Sequence, residues 1–266
     1  MISMPLLKRE AKANYKLLLI FMGVLTLYAS MIIAMFDPKL GESLALMAES
    51  MPGIFSAFGM TNVSTTLVEF CANYLYGFLM VVFPLVFIII LANKLVARYV
   101  DRGSMAYLLA SPIKRGKLIF TQMKILCGAL FLLVAYVTIL SLLVGEMMFP
   151  GEMDVAKFIS LNLGCYCLHI FLAGVCFLPS CIFNDSKYAT GTGAGVCIAF
   201  VLIQMISQVG EKFENLKYIT PLTLFDTAKI LAADSAALWQ CGTLLVAGLA
   251  LMFVGLAIFC KRDIPV

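Results

Sequence analysis

The sequence predicts an all-α membrane protein, a single domain over residues 1–266 built on six transmembrane helices. Three observations carry that expectation. Hydrophobic residues make up 62% of the chain and charged residues 13%, whereas a soluble domain is about a quarter charged and under half apolar. Six apolar runs reach the roughly 20 residues that a helix needs to cross the hydrocarbon core. The basic residues gather in alternate connections, as they do when one side of a bilayer retains them.

The runs are Leu17–Phe36, Tyr74–Ala92, Ile119–Val144, Phe158–Phe183, Tyr188–Gln208 and Gln240–Cys260. With both termini inside, the inner side carries Lys8, Arg9, Lys12 and Lys16, the group Lys94, Arg98, Arg102, Lys114, Arg115, Lys117 and Lys124, and then Lys187, Lys261 and Arg262. These are 14 of the 19 Lys and Arg residues, while 11 of the 15 acids fall outside. The reverse orientation would export the basic majority. Both termini are therefore expected in the cytoplasm, with lipid around the spans; a bacterial cell membrane is the expected setting. The net charge of +4 is spread over several connections, so no nucleic-acid partner is expected.

Residues 1–16 read as an N-terminal amphipathic interfacial helix opened by Pro5. Leu7, Ala11 and Tyr15 share one side, with Leu18 beyond, and Lys8, Arg9, Lys12 and Lys16 fill the adjoining sector. Such a helix suits a surface of anionic headgroups. A basic flank that only orients the first span would read the same way. That first run has no small-residue cleavage site, so no secretory leader is expected.

Between Asp37 and Asn73 lies an outer segment rich in Pro and Gly, whose piece GIFSAFGM is too short to span. Asn62-Val63-Ser64 matches a glycosylation sequon, a weak signal on its own. Spans four and five are joined by only Asn184–Lys187 and so form a tight hairpin. Residues 209–239 read as an outer or re-entrant segment. There Leu224, Ala228 and Leu231 recur at helical spacing after Pro221, which predicts short outer helices before span six, and Trp239 suits an interfacial anchor.

The connection over residues 93–118 is the most informative. Gly103 and Ser104 can open a helix, with the Ser104 hydroxyl as its cap. Met105, Leu108 and Leu109 make an apolar side, and Pro112 stops the helix. A short helix with an exposed apolar side calls for a groove on a partner, with Lys114, Arg115 and Lys117 facing that partner or the headgroups. The same residues packed beneath their own bundle would make an ordinary basic loop, and these patterns do not separate the two.

Inside the spans the polar residues Asn162, His169, Gln204 and Gln208 stand out, because desolvated polar groups either line a pathway or fasten helices. For His169 a fastening hydrogen bond is the commoner case. The nine cysteines lie mostly in apolar runs and read as small buried thiols. Cys71 and Cys241 fall near outer ends, which leaves a disulfide between them open but disfavoured. Gly191 and Gly195 form GxxxG within a span and predict close helix packing. There is no GxxxxGK[ST] phosphate loop, GxSxG, HExxH or paired-carboxylate set. This chain is therefore expected to bind no nucleotide or metal and to catalyse nothing itself.

The run D-x-G-S-x-x-x-L-L-x-S-P-I-x-R from Asp101 to Arg115, followed by Lys124, resembles the loop after the second span of type-2 ABC exporter permeases. That pattern is Glu-x-Gly-Thr, Leu-Leu, Ser/Thr-Pro, a small or polar residue, Arg and a later Lys. Here Asp101 stands for Glu, Ser104 for Thr and Lys114 for the usual Ser. TPLTLFD at Thr220–Asp226 and the ending FCKRDIPV are also similar to that family. The resemblance implies a cytoplasmic coupling helix between spans two and three. In it Asp101, Gly103, Ser104, Met105, Leu108, Leu109, Pro112, Lys114 and Arg115 would dock a cytosolic ATP-binding subunit. It further implies two copies of that subunit carrying Mg-ATP, a second permease copy or a related permease, and export by alternating access. The cargo is not implied. An ion-coupled secondary transporter or channel is the alternative, weakened by the absence of a visible repeat and of mid-span charges.

Overall fold

The computed structural model describes residues 3–36, 50–58, 66–105, 114–209 and 211–262. Among these residues every regular element is helical. In chain order they are α1 (Met4–Ala34), α2 (Pro52–Ala57), α3 (Leu67–Tyr74), α4 (Leu79–Asp101), α5 (Arg115–Met148), α6 (Val155–Ile182), α7 (Ser186–Gln208), α8 (Thr227–Leu231) and α9 (Ser235–Lys261). Two 3-10 segments, Glu211–Tyr218 and Pro221–Leu224, lie between α7 and α8. Six helices, α1, α4, α5, α6, α7 and α9, are long and apolar enough to cross a membrane. By length and composition the chain is a multi-pass membrane protein.

Acidic caps set where many of these helices begin. Asp154, Asp185, Asp226 and Asp234 each accept a hydrogen bond from a first-turn backbone N–H of α6, α7, α8 and α9. A cap of this kind contributes about 1 kcal/mol. Thr66 and Glu69 form a reciprocal capping box at the start of α3. Asp226 also divides the segment between α7 and α9: Leu224 belongs to a 3-10 turn, and Ala228 and Leu231 to α8. Leu224 and the pair Ala228 and Leu231 thus fall in two short helical pieces, because the Asp226 side chain caps a new start.

The core is organised around α6. Its most apolar stretch is 78% buried, against 17% to 50% in the other five spanning helices. It packs most extensively against α9, and small residues make that possible. A methyl built on Gly248 would stand 2.6 Å from both the Ile170 carbonyl oxygen and the Phe171 Cα, and one on Gly174 would meet the Gly248 carbonyl oxygen at 2.5 Å. Seven residues along α9, a methyl on Gly255 would lie 3.4 Å from the Leu178 Cα. Backbone therefore meets backbone along this seam, as in membrane bundles that replace side-chain bulk by proximity.

The glycine pair singled out by its GxxxG spacing is elsewhere. Gly191 and Gly195 have no atom of the described residues within reach of a Cβ and lie on the exposed face of α7; Gly193, between them, packs on Cys176. Spacing alone does not say which face of a helix is inward. All nine cysteines are free thiols, Cys71 and Cys241 included.

Two further corrections concern boundaries. The segment read as a separate interfacial helix over residues 1–16 is the first part of α1, which runs unbroken from Met4 to Ala34. Its residues are good helix formers, and no Gly or Pro interrupts it between Lys8 and Lys16. Likewise the connection read over residues 93–118 is helical at both ends. Asn93–Ala97 form a π turn, Arg98–Asp101 resume α geometry, and α5 already begins at Arg115. Hydropathy falls where charge begins, but backbone hydrogen bonding continues.

Candidate functional site

At the basic end of the bundle the start of α1 lies against the end of α4. Lys8, Arg9, Lys12 and Lys16 are exposed, whereas Leu6 and Glu10 are buried. The inward face of this part of α1 therefore carries Leu6 and Glu10. Ala11 and Tyr15, expected to form the apolar side with Leu7, are exposed. A buried carboxylate needs donors, and Tyr99 on α4 supplies one: its hydroxyl donates to Glu10 Oε1 at 2.6 Å. The Arg9 guanidinium stands 5.9 Å above the Tyr99 ring. Ser3 is held too, its backbone N–H donating to Thr121 Oγ1 on α5 at 3.1 Å.

Beyond Tyr99 the chain turns out of α4. Gly103 has φ +66°, a left-handed conformation that a β-carbon disfavours, and it ends the helix. Ser104 sends its hydroxyl back to the Tyr99 carbonyl at 3.2 Å, so it closes the end of α4. Met105 is 1% exposed and ties the turn to the bundle. Asp101, Lys114 and Arg115 are exposed. Leu108, Leu109 and Pro112 lie outside the described residues. Arg115 donates to the Arg262 carbonyl at 3.1 Å, and the Arg262 guanidinium donates to the carbonyls of Cys181 at 2.7 Å and Phe183 at 3.2 Å. Those bonds join the ends of α5, α9 and α6. Ser186 at the start of α7 donates to Asn93 Oδ1 in the π turn at 2.7 Å.

The opposite end contains a cavity of about 330 Å³. Its polar lining includes Asn73, Tyr76, Gln204, Gln208, Thr223 and Asp226, and its apolar walls include Phe78, Val81 and Met205. Gln204 and Gln208 are thus brought together, four residues apart on α7. The Thr223 hydroxyl lies 3.3 Å from Gln204 Oε1 and 2.8 Å from the Thr220 carbonyl, with one proton to give. Asn162 stands behind this cavity. Tyr76 donates to Asn162 Oδ1 at 2.7 Å while the Asn162 amide donates to the Phe158 carbonyl at 2.9 Å. This residue fastens α6 to the segment between α3 and α4. His169 is fully buried and does not line the cavity; its Nδ1 lies 3.5 Å from Cys165 Sγ, and its Nε2 has no partner among the described residues.

A family model described as "protein of unknown function (DUF2705)" matches residues 31–265. The chain belongs to that family. The match takes in both ends of the bundle and most of the spanning residues. No curated protein matches the chain.

In this DUF2705 chain the residues that pattern reading missed are Glu10, Tyr99, Asn93, Ser186 and Arg262. Each acts through a partner far away in sequence, and only the unusual type was visible beforehand: one acid, Glu10, among the four leading cations. Tyr99→Phe should cost about 2 kcal/mol in thermal unfolding in detergent, because a buried carboxylate loses a donor. Adding Glu10→Leu to that variant should restore most of the loss, since an apolar pair leaves nothing unpaired. A double variant no more stable than Tyr99→Phe would contradict the assignment.

Proposed function

We propose that this chain is the permease subunit of an ABC exporter, moving its cargo across the cell membrane by alternating access while a separate cytosolic subunit hydrolyses Mg-ATP. One observation carries the reading. The run Asp101–Arg115, with its D-x-G-S, L-L and S-P-I-x-R elements, joins α4 to α5 at the end of the bundle where the basic residues collect. Asp101, Gly103, Lys114 and Arg115 are exposed there, and Met105 is the buried anchor. A push on this connection would be felt directly by α4 and α5, and through Arg115 and Arg262 by α6 and α9. In this reading both termini are cytoplasmic, and two copies of the ATP-binding subunit meet two permeases. The exposed cations at the start of α1 would extend the docking surface. Gln204 and Gln208 at the opposite end would meet the cargo on its way out.

Purification of the tagged chain from its own host in a mild detergent tests this. A nucleotide-binding subunit should accompany it, and the complex should hydrolyse ATP. Recovery of the chain without any such subunit, under conditions that keep the spans folded, would sink the proposal.

A further inference from the structure

The end of α4 carries a stripe of three cations, Lys94, Arg98 and Arg102, recurring every four residues through the π turn. Arg98 and Arg102 are exposed and Lys94 is half-buried. Among the described residues none of the three is within ion-pair distance of a carboxylate. Three cations on one stripe repel one another and seek a counter-charge. Toward α1 the same three border the Glu10 carboxylate across a notch of about 270 Å³, and Tyr99 already donates to that carboxylate.

The stripe forms one wall of a notch of about 310 Å³ between α4 and the start of α7. Its polar part also holds Asp101, so the charged lining is three cations against one carboxylate. The hydroxyls facing it from α7 are already engaged, Ser186 donating to Asn93 and Thr190 to the Ser186 carbonyl at 2.8 Å. The donors left for an occupant are therefore the Lys94 ammonium, a point charge, and two guanidinium groups, whose forked geometry matches phosphate oxygens. Below them the notch is apolar, walled by Ile89 and Ile90. That change of character falls at the end of the apolar part of α4, which runs to Ala92 before the polar Asn93. Charge above and hydrocarbon below, at the level where a bilayer places its phosphates, describe an amphiphile rather than a free anion.

The geometry points to a bound anionic glycerophospholipid, its phosphate held by Lys94, Arg98 and Arg102 and an acyl chain lying along Ile89 and Ile90. The site is separate from the cavity holding Gln204 and Gln208, and it stands whether or not an ATP-binding subunit is the partner. An occupant here would brace the π turn against α7, alongside the Ser186–Asn93 bond.

The test is titration of the delipidated full chain in neutral detergent with phosphatidylglycerol and with phosphatidylcholine, read by thermal unfolding and by lipid retention in native mass spectrometry. Phosphatidylglycerol should be retained in preference. Arg98→Gln with Arg102→Gln should weaken it about twenty-five-fold, roughly fivefold per cation removed. Lys157→Gln with Lys229→Gln removes the same charge from the opposite end of the bundle and should change retention by less than about threefold. Ile90→Ser alters the apolar wall and no charge, and should also weaken retention. Equal weakening by the two charge pairs, or no preference for the anionic lipid, would overturn the site. Stabilisation by inorganic phosphate equal to that by phosphatidylglycerol would place a free anion there and overturn the lipid assignment.

Discussion

Gly248→Val is expected to destabilise the protein by about 3 kcal/mol or more, and to yield a chain that no longer migrates as one species in mild detergent. The reason is local and steric. A methyl at this position would sit 2.6 Å from the Ile170 carbonyl oxygen and the Phe171 Cα, both backbone atoms, so no rotamer change relieves the contact. The helices α6 and α9 must separate, and the contacts along the whole seam are lost with them. Gly191→Ala is the control, since none of the described residues lies within 4 Å of the added carbon. It should stay within about 0.5 kcal/mol of the parent. Thermal unfolding followed by far-ultraviolet circular dichroism and size-exclusion profiles would measure both. Similar behaviour of the two variants would mean that α6 and α9 do not meet along their backbones.

Leu108→Asp combined with Leu109→Asp is expected to abolish ATP-driven transport, and either to uncouple ATP hydrolysis or to release the ATP-binding subunit, while the six spans remain inserted. Two carboxylates placed in a dry docking groove would each cost several kcal/mol unless they found partners. The expectation follows from the sequence between Gly103 and Pro112 and from the permease reading. Co-purification and ATPase assays of the double variant, beside a Lys114→Ser variant that restores the more usual residue, would measure it. Intact association together with full transport would remove the docking role of this connection.

The six spans were legible as apolar runs because a bilayer demands hydrophobicity on nearly every side of a helix. Their ends were not. Helices α1, α4 and α5 continue into charged sequence, Met4–Lys16, Asn93–Asp101 and Arg115–Lys117, where hydropathy gives no signal but the hydrogen-bond ladder persists. The inward face of α1 was hidden for a related reason. Burying Glu10 is reasonable only with Tyr99 opposite, and that partner is 89 residues away. The glycine seam escaped because Gly174 and Gly248 are on different helices, so no short motif contains them. Gly191 and Gly195 formed the motif and lie on the exposed face. Of the polar residues within spans, Gln204 and Gln208 do share a cavity, Asn162 fastens two segments behind it, and His169 stands apart.

The Gly174–Gly248 contact also limits how the molecule can change shape. With main chain against main chain, sliding α9 along α6 by one residue brings Ala247 or Leu249 to a place that has no room for a β-carbon. Rolling either helix meets the same barrier. The two behave as a single chassis, and any opening or closing must be carried by α1, α4, α5 and α7 moving around it.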